Sequence, residues 1–298
     1  MKHGFYISAF PNYEYIFFVG VLLLFLMTIC GNLLIIVLIW MAPHLHTPMY
    51  FFLFNLSVQD VVHVSAIFPK LMSIMLTGDH NISFLGCLAQ IFMFIVCTET
   101  AFFFLTSMAY DRYVAICCPL QYSVIMNFQK CSLMASACWV TSSLNSVMHC
   151  FLMSQLKYCY HKAINHFFCD VRAMLKLTTV DTTPIKTIIF VEIVLFGCIP
   201  FILILTSYTH IILTIRKIRS AAGRLKTFSS CSSHIGIVIL FFGASLIQYM
   251  NPESEQTEEQ DKSLSLLYVA VVPMLNPLVY SLRNKDVLLA MKKMMNLF

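Results

Sequence analysis

The sequence predicts an all-α protein, a bundle of seven membrane-spanning helices followed by a short amphipathic helix. Hydrophobic residues make up 59% of the 298 residues and charged residues only 11%, and the mean hydropathy is +0.80. A soluble domain needs a charged exterior and cannot bury this much apolar surface, whereas a lipid bilayer accommodates it. The apolar residues are also grouped into seven runs, each about as long as a membrane span.

The seven predicted spans follow one another with short polar connections inside a single domain covering residues 1–298. A spanning helix needs about 20 mostly apolar residues, and each run meets that length. The first run is too long for the apolar core of a signal peptide and no small-residue cleavage site follows it, so we expect it to remain. The spans are predicted at residues 15–41, 50–76, 85–118, 131–152, 187–215, 228–250 and 264–282.

The C-terminal segment, residues 284–298, mixes apolar residues and lysines at a spacing typical of an amphipathic helix on the membrane surface. Lysine and arginine accumulate on the cytoplasmic side of membrane proteins. With the N-terminus outside, more of them fall on the cytoplasmic side than on the outer side. The pattern therefore predicts a multi-pass protein with an extracellular N-terminus.

Several short motifs lie in order along the chain, each at the end of a predicted span. They are Gly31-Asn32, Leu45–Leu53, Leu56-Ser57 with Asp60, Met108–Cys117, Ser207-Tyr208, Lys226–His234 and Pro273–Lys285. One such motif alone is weak evidence, but the whole set in this order is specific. It resembles the vertebrate odorant (olfactory) receptors, in their terrestrial-type (class II) branch, which belong to the rhodopsin-like G-protein-coupled receptors.

The resemblance implies a plasma-membrane receptor that binds a small volatile odorant within the bundle and activates a stimulatory, olfactory-type G protein to raise cyclic AMP. It implies no enzymatic activity, no cofactor or metal, and no nucleic-acid partner. A non-coupling or poorly trafficked receptor of the same fold, a decoy or a pseudogene product, is the alternative. It rests on a short N-terminal tail without a glycosylation sequon and on departures from the family pattern at Ala101, Thr179 and Phe242.

Other functional classes fit the sequence less well. A retinal-binding photoreceptor needs a lysine in the seventh span for its Schiff base, and residues 264–282 contain none. No internal repeat suggests a transporter. The absence of a CxxC pair among the twelve cysteines argues against a zinc site or a redox dithiol.

The triplet Asp111-Arg112-Tyr113 lies where the third span meets the cytoplasm. One interpretation is an interfacial anchor. The other is a latch in which Arg112 pairs with Asp111 at rest and turns inward to bind a partner when the helices separate. The resemblance assigns the second role, engagement of the G protein, with further switch residues at Tyr208, Asn276, Pro277 and Tyr280.

Asp60 is an ionisable residue deep in the second span, where such residues are costly and face the bundle interior. We expect Asn32 and Asn276 as its partners in one polar network. That network is either a packing contact between helices or a switch that holds sodium. Ala101 stands where the resemblance leads us to expect a glutamate, which weakens the case for sodium.

The predicted odorant pocket is mostly apolar with few polar contacts. Its members share helix faces at spacings of three and four residues, although plain packing explains such stripes equally well. We predict as its lining Ile95, Thr98, Glu99 and Phe102 on the third span, Glu192 and Phe196 on the fifth, Phe242, Ser245, Leu246 and Tyr249 on the sixth, and Leu266 and Val269 on the seventh.

Glu99 and Glu192 are acidic residues inside predicted spans, with His149 as a neighbour of both. Such groups are functional-site candidates by default. In one interpretation they pair with one another or remain protonated. In the other they form a polar patch that prefers a hydrogen-bonding or cationic odorant.

The resemblance pairs Cys87 with Cys169 in a disulfide on the oxidising side. It leaves Cys159 either free or in an unusual pair, because Thr179 stands where a further cysteine belongs. The segment His166–Asp170 could also be interpreted as a copper site, although a disulfide would remove the thiolate of Cys169. The sequon Asn81-Ile82-Ser83 in the first outer loop predicts N-glycosylation of Asn81.

Overall fold

The computed structural model describes residues 4–9, 15–158, 163–218, 220–250, 258–283 and 285–295. Within these ranges the chain forms seven long helices and a short final one, as predicted. The helices are α1 (Tyr15–Met41), α2 (Pro48–Thr77), α3 (Phe84–Cys117), α4 (Phe128–Gln155), α5 (Thr183–Arg216), α6 (Ala221–Met250), α7 (Glu258–Leu266, Leu267–Val271 and Val272–Arg283) and α8 (Lys285–Met295).

The helices confirm the predicted all-α membrane bundle, and their apolar composition explains why they are stable in a bilayer. Five segments are long and apolar enough to cross a bilayer by length and composition alone, at Tyr15–Met41, Pro48–Thr77, Phe84–Cys117, Thr183–Arg216 and Lys262–Val279. Large apolar side chains on the outside of the bundle, such as Trp40, Leu133 and Phe190, are more than half exposed. In lipid this exposure is favourable, because hydrocarbon tails replace the missing protein contacts.

Most of the helices run past the predicted spans, because capping residues and not apolarity decide where they begin and end. The Ser83 hydroxyl accepts a hydrogen bond from the Gly86 amide and starts α3. The Asn127 side chain does the same for the Lys130 amide and starts α4. Gly78 ends α2 with a φ of 69°, a left-handed conformation that glycine adopts without strain.

Two of the helices contain a wider, π-helical turn that the sequence pattern does not predict. In α5 this turn spans Ile193–Cys198 and precedes Pro200, and in α7 it spans Leu267–Val271. Such turns shift the faces of a helix relative to a regular α-helix and are frequent at functional sites. The π-helical turn of α5 begins directly after Glu192.

A small sheet at one end of the bundle is an addition to the predicted all-α fold. It consists of β1 (Phe5–Ile7), β2 (Asn81–Ile82) and β3 (Ala163–Ile164), in the order β2-β1-β3. The pair β1/β2 is antiparallel and the pair β1/β3 is parallel. We refer to this end, which also carries Cys87 and Cys169, as the disulfide end, and to the opposite end as the Arg112 end.

The helix α3 lies at the centre of the bundle and contacts α2, α4, α5 and α6. Two clusters of buried apolar side chains surround it. One includes Phe104 and Met108 towards the Arg112 end, and the other includes Ile91 and Phe168 towards the disulfide end.

The contact between α1 and α7 depends on a glycine. A Cβ placed on Gly31 would lie 2.8 Å from Cγ of Pro277, so Gly31→Ala forces these helices apart. We expect a loss of about 1–3 kcal/mol of stability, measured as a lower melting temperature of the detergent-solubilised protein. The matched control is Gly20→Ala in the same helix, where a Cβ meets nothing within 4 Å. Equal melting temperatures for the two variants would contradict the prediction.

Candidate functional site

A disulfide between Cys87 and Cys169 ties the connection between α4 and α5 to the beginning of α3, which confirms the predicted pair. Both cysteines are completely buried. The backbone amide of Cys169 also donates to Oε1 of Gln90 on α3, over 3.1 Å. The bridge therefore holds this connection in place over the bundle, whereas Cys159 lies outside the described residues.

Residues 163–175 of this connection form a cover over the disulfide end, which we call the lid. Its side chains His166, Phe167 and Phe168 are buried, and the Phe168 ring lies 5.0 Å from that of Phe94 on α3. The His166 ring nitrogen Nε2 lies 3.2 Å from the Ser265 hydroxyl on α7. Burial lowers the pKa of His166 to about 4, so its imidazole is neutral at physiological pH.

Lys262 ties three parts of the disulfide end together. Its ammonium donates to the backbone carbonyl of Ser8, over 2.9 Å, and to Oδ1 of Asn165, over 2.6 Å. The chain before α1, the lid and α7 therefore meet at one buried lysine.

A cavity lies beneath the lid, between α3, α4, α5 and α6. It encloses about 870 Å³ of space free of protein atoms, part of it open to solvent. Its wall is mostly apolar with a few polar side chains, which is typical of small-molecule sites. The lining residues are Phe94, Ile95, Thr98, Glu99, Phe102, His149, Asp170, Val171, Arg172, Ile189, Glu192, Ile193, Phe196, Gly197, Phe242 and Ser245.

Most of the pocket residues predicted from sequence line this cavity, namely Ile95, Thr98, Glu99, Phe102, Glu192, Phe196, Phe242 and Ser245. Leu266 and Val269 are not among the lining residues of this cavity, and they pack with other apolar side chains of the disulfide end. The side chains of Leu246 and Tyr249 lie outside the described part of the chain.

The lid residues Asp170, Val171 and Arg172 were missed, because a loop has no periodicity from which to infer where its side chains lie. Their position next to Cys169 was the available signal, since a disulfide to α3 brings the following residues over the bundle. Oδ1 of Asp170 accepts hydrogen bonds from the backbone amides of Arg172 and Ala173, which starts the short helix Val171–Leu175.

Two hydrogen-bonded pairs contribute to the polar part of the cavity wall. Nδ2 of Asn145 donates to Oε1 of Glu99 over 2.6 Å, which joins α4 to α3. Nε2 of His149 lies 2.6 Å from Oε2 of Glu192, which joins α4 to α5. His149 thus lies beside Glu192, as expected, whereas the hydrogen-bond partner of Glu99 is the side-chain amide of Asn145.

The polar core in the middle of the bundle only partly matches the expectation. Nδ2 of Asn276 donates to Oδ2 of Asp60 over 2.7 Å, which joins α7 to α2 as expected. Asn32, by contrast, donates to the backbone carbonyl of Pro273 over 3.0 Å. Asn32 therefore helps to hold α7 through its backbone, and among the described residues its side chain makes no hydrogen bond to Asp60.

At the Arg112 end, the carboxylate of Asp111 accepts a hydrogen bond from the Tyr122 hydroxyl over 2.8 Å. Arg112 is partly buried, and its charge acts on Asp111. Burial and the nearby carboxylate raise the pKa of Tyr122, which keeps its phenol as the donor. Asp111 is therefore hydrogen-bonded to a tyrosine of the connection between α3 and α4.

His234 is a residue of the Arg112 end that the sequence interpretation left without a role. The Tyr208 hydroxyl lies 2.7 Å from Nδ1 of His234, and Nε2 of His234 lies 3.0 Å from the carbonyl oxygen of Leu105. One buried imidazole thus connects α5, α6 and α3. The expectation that Tyr208 meets Arg112 stays a prediction, and the side chain of Tyr280 lies outside the described part.

Asn81 lies exposed in β2, and its Nδ2 donates to Oδ1 of Asp79. If the disulfide end faces the cell exterior, we expect an N-linked glycan on Asn81. Peptide N-glycosidase should increase the gel mobility of the wild-type protein and of Ser83→Thr, which keeps the sequon, but not of Asn81→Gln. Wild-type mobility that the enzyme leaves unchanged would show that the prediction is wrong.

Comparison with known proteins agrees with the seven-helix fold. The family model of the 7 transmembrane receptor (rhodopsin family) matches residues 31–280. Olfactory receptor 2T2 of Homo sapiens is 44% identical over 287 residues, which cover 96% of this chain and 88% of the relative. Olfactory receptor 1 of Rattus norvegicus is 42% identical over 283 residues, covering 95% and 90%. The chain therefore belongs to the olfactory receptors, within the rhodopsin family of seven-transmembrane receptors.

Proposed function

We propose that this receptor binds a small volatile odorant in the cavity beneath the lid and activates a stimulatory, olfactory-type G protein, which raises cyclic AMP. The observation that carries the proposal is the cavity itself, a largely apolar chamber with a few polar side chains, formed where α3, α5 and α6 meet. Olfactory receptors are not enzymes, so ligand binding at this site has signalling as its output.

We infer that the protein lies in the plasma membrane with its N-terminus outside the cell. The distribution of lysine and arginine supports this orientation. The disulfide supports it independently, because structural disulfides persist on the oxidising side of the membrane. The Arg112 end then faces the cytoplasm, where a G protein is available.

The proposed mechanism is a shift between two arrangements of the helices. An odorant that binds one arrangement better than the other moves the equilibrium by that difference in affinity. The cavity and the Arg112 end share α3, α5 and α6, and His234 links these helices near Arg112. When α6 moves outwards, this link breaks and a cleft opens at Arg112 for a segment of the G protein.

A cyclic AMP reporter assay tests this function in cells that supply the olfactory G protein and trafficking helpers. We expect a dose-dependent response to at least one member of a broad odorant panel. Arg112→Ala should abolish that response at equal surface staining, because it removes the cation that engages the G protein. The matched control is Lys130→Ala, which removes an exposed cation of the same end whose ammonium donates to the Val124 carbonyl.

The outcomes of this assay separate the proposal from its alternative. A response that Arg112→Ala leaves intact contradicts the assigned role of Arg112. Silence across the panel despite good surface staining favours a receptor that folds but does not couple, which neither the fold nor the relatives support at present.

A further inference from the structure

We propose that the odorant of this receptor is a small primary amine, bound as an ammonium ion between Glu99 and Glu192. The inference rests on the proposed function and adds the chemical class of the ligand. It is drawn from the hydrogen bonding, the charges and the apolar wall of the cavity beneath the lid.

The hydrogen bonding of the two carboxylates is incomplete. Each uses one oxygen in a protein contact, Glu99 with Asn145 and Glu192 with His149. The remaining oxygens, Oε2 of Glu99 and Oε1 of Glu192, are buried and have no hydrogen-bond partner among the described residues. Buried polar atoms are nearly always paired, so these acceptors indicate a missing donor.

Further polar atoms of the same wall also lack a partner among the described residues. They are Oγ1 of Thr98 and Nδ1 of His149. The side chains of Glu99, Thr98 and His149 are each at least nine-tenths buried. An ammonium group has three N–H donors and no acceptor, which matches the two unused carboxylate oxygens and the Thr98 hydroxyl oxygen, each of which can accept.

The balance of charges favours a cation over a neutral donor. Among the described residues, the cavity wall carries the carboxyl groups of Glu99, Glu192 and Asp170 against the guanidinium of Arg172 and the imidazole of His149. Glu192 has the His149 imidazole as its partner, whereas the partner of Glu99 is the uncharged Asn145 amide, which leaves the charge of Glu99 uncompensated. A buried carboxylate without a counter-charge is costly. A bound ammonium supplies that counter-charge and stabilises the ionised carboxylate, whereas a bound alcohol does not.

The rest of the wall fits the apolar part of a small amine. Phe102 and Phe242 pack with ring centroids 4.7 Å apart, and Phe196 lies on the neighbouring face of α5. Aromatic faces also attract an ammonium through their electron-rich centres. A ligand with one ammonium and a short alkyl or phenyl group therefore satisfies both parts of the wall.

The test compares ligands of matched size on the full-length receptor in the cyclic AMP assay. The probes are hexylamine and 2-phenylethylamine, 1-hexanol and 2-phenylethanol, and hexanoic acid. We expect the half-effective concentration of an amine to be at least about tenfold below that of its alcohol, because a charged hydrogen bond is about twice as strong as a neutral one. The acid should not activate.

Substitution of the two carboxylates makes the test specific. Glu99→Gln and Glu192→Gln should each raise the half-effective concentration of the amine by about tenfold or more and leave that of the alcohol within about threefold. General damage to the fold would raise the half-effective concentrations of both ligands by a similar factor. The control is Asp181→Asn, which removes an exposed negative charge of the disulfide end outside the cavity wall.

Binding is measured separately from signalling. The melting temperature of the detergent-purified full chain should rise with amine, and this rise should disappear in the Glu99→Gln, Glu192→Gln double variant.

If the amine stabilises the protein but cyclic AMP does not rise, the proposed ligand class is supported and the proposed coupling to the G protein is wrong. If other odorants signal through Arg112 and amines neither stabilise nor activate, the proposed function holds and the ligand class is wrong. If the glutamine variants change the half-effective concentrations of the amine and the alcohol by the same factor, the proposed ligand class is also wrong.

Discussion

Replacing Cys169 with serine is expected to cost the receptor about 2–5 kcal/mol of stability and to remove most of the mature protein from the cell surface. The bridge joins two positions 82 residues apart. Without it the unfolded chain gains conformational freedom and the lid loses its covalent attachment to α3. Because Asp170, Val171 and Arg172 directly follow Cys169 and line the cavity, ligand binding should fall together with stability.

The measurement is the melting temperature of the detergent-solubilised receptor, with surface staining of intact cells beside it. The variants Cys87→Ser, Cys169→Ser and the double variant should behave alike, since each removes the same bond. The control is Cys30→Ser, which alters an exposed free cysteine of α1. If Cys169→Ser melts within a degree or so of this control, the bridge contributes little and the prediction is wrong.

Acidification is expected to loosen the lid through His166. Burial lowers the pKa of this imidazole from 6.5 to about 4. The positive charges of Lys262 and Lys176 contribute to this lowering of the pKa, whereas Asp170 acts in the opposite direction. In the unfolded chain the imidazole takes up a proton near pH 6.5, but in the folded lid only near pH 4. The neutral imidazole therefore contributes fully to the free energy of unfolding above about pH 6.5. As the pH falls towards 4, this contribution decreases by about 3 kcal/mol.

The measurement compares melting temperatures at pH 7.5, 5.5 and 4.5 for the wild type and for His166→Asn, which keeps a polar side chain but cannot titrate. The wild type should lose stability over this range more steeply than the variant. The difference between the two isolates the imidazole from carboxyl groups that titrate in the same range. Parallel pH dependences for the two proteins would contradict the prediction.

The sequence alone determined the helical bundle and the disulfide pair. Apolar runs of about 20 residues identify spanning helices wherever they occur, because the cost of placing a backbone in lipid leaves few alternatives. The resemblance to the odorant receptors then paired Cys87 with Cys169 and Asp60 with Asn276, and the structure contains both contacts. Spacing along α3 likewise placed Thr98, Glu99 and Phe102 on one wall of the cavity.

Only the tertiary structure decided which polar groups pair with one another. Hydrogen-bond partners depend on the rotation and axial position of each helix, which the periodicity of a single helix does not contain. The amide of Asn32 thus donates to the Pro273 carbonyl, and the Tyr208 hydroxyl lies 2.7 Å from Nδ1 of His234. The hydropathy pattern of the sequence also did not predict the position of the lid residues, the short strands or the π-helical turn after Glu192. Loops and wider turns have no repeating signal, and their conformation is set by the contacts that the folded bundle makes with them.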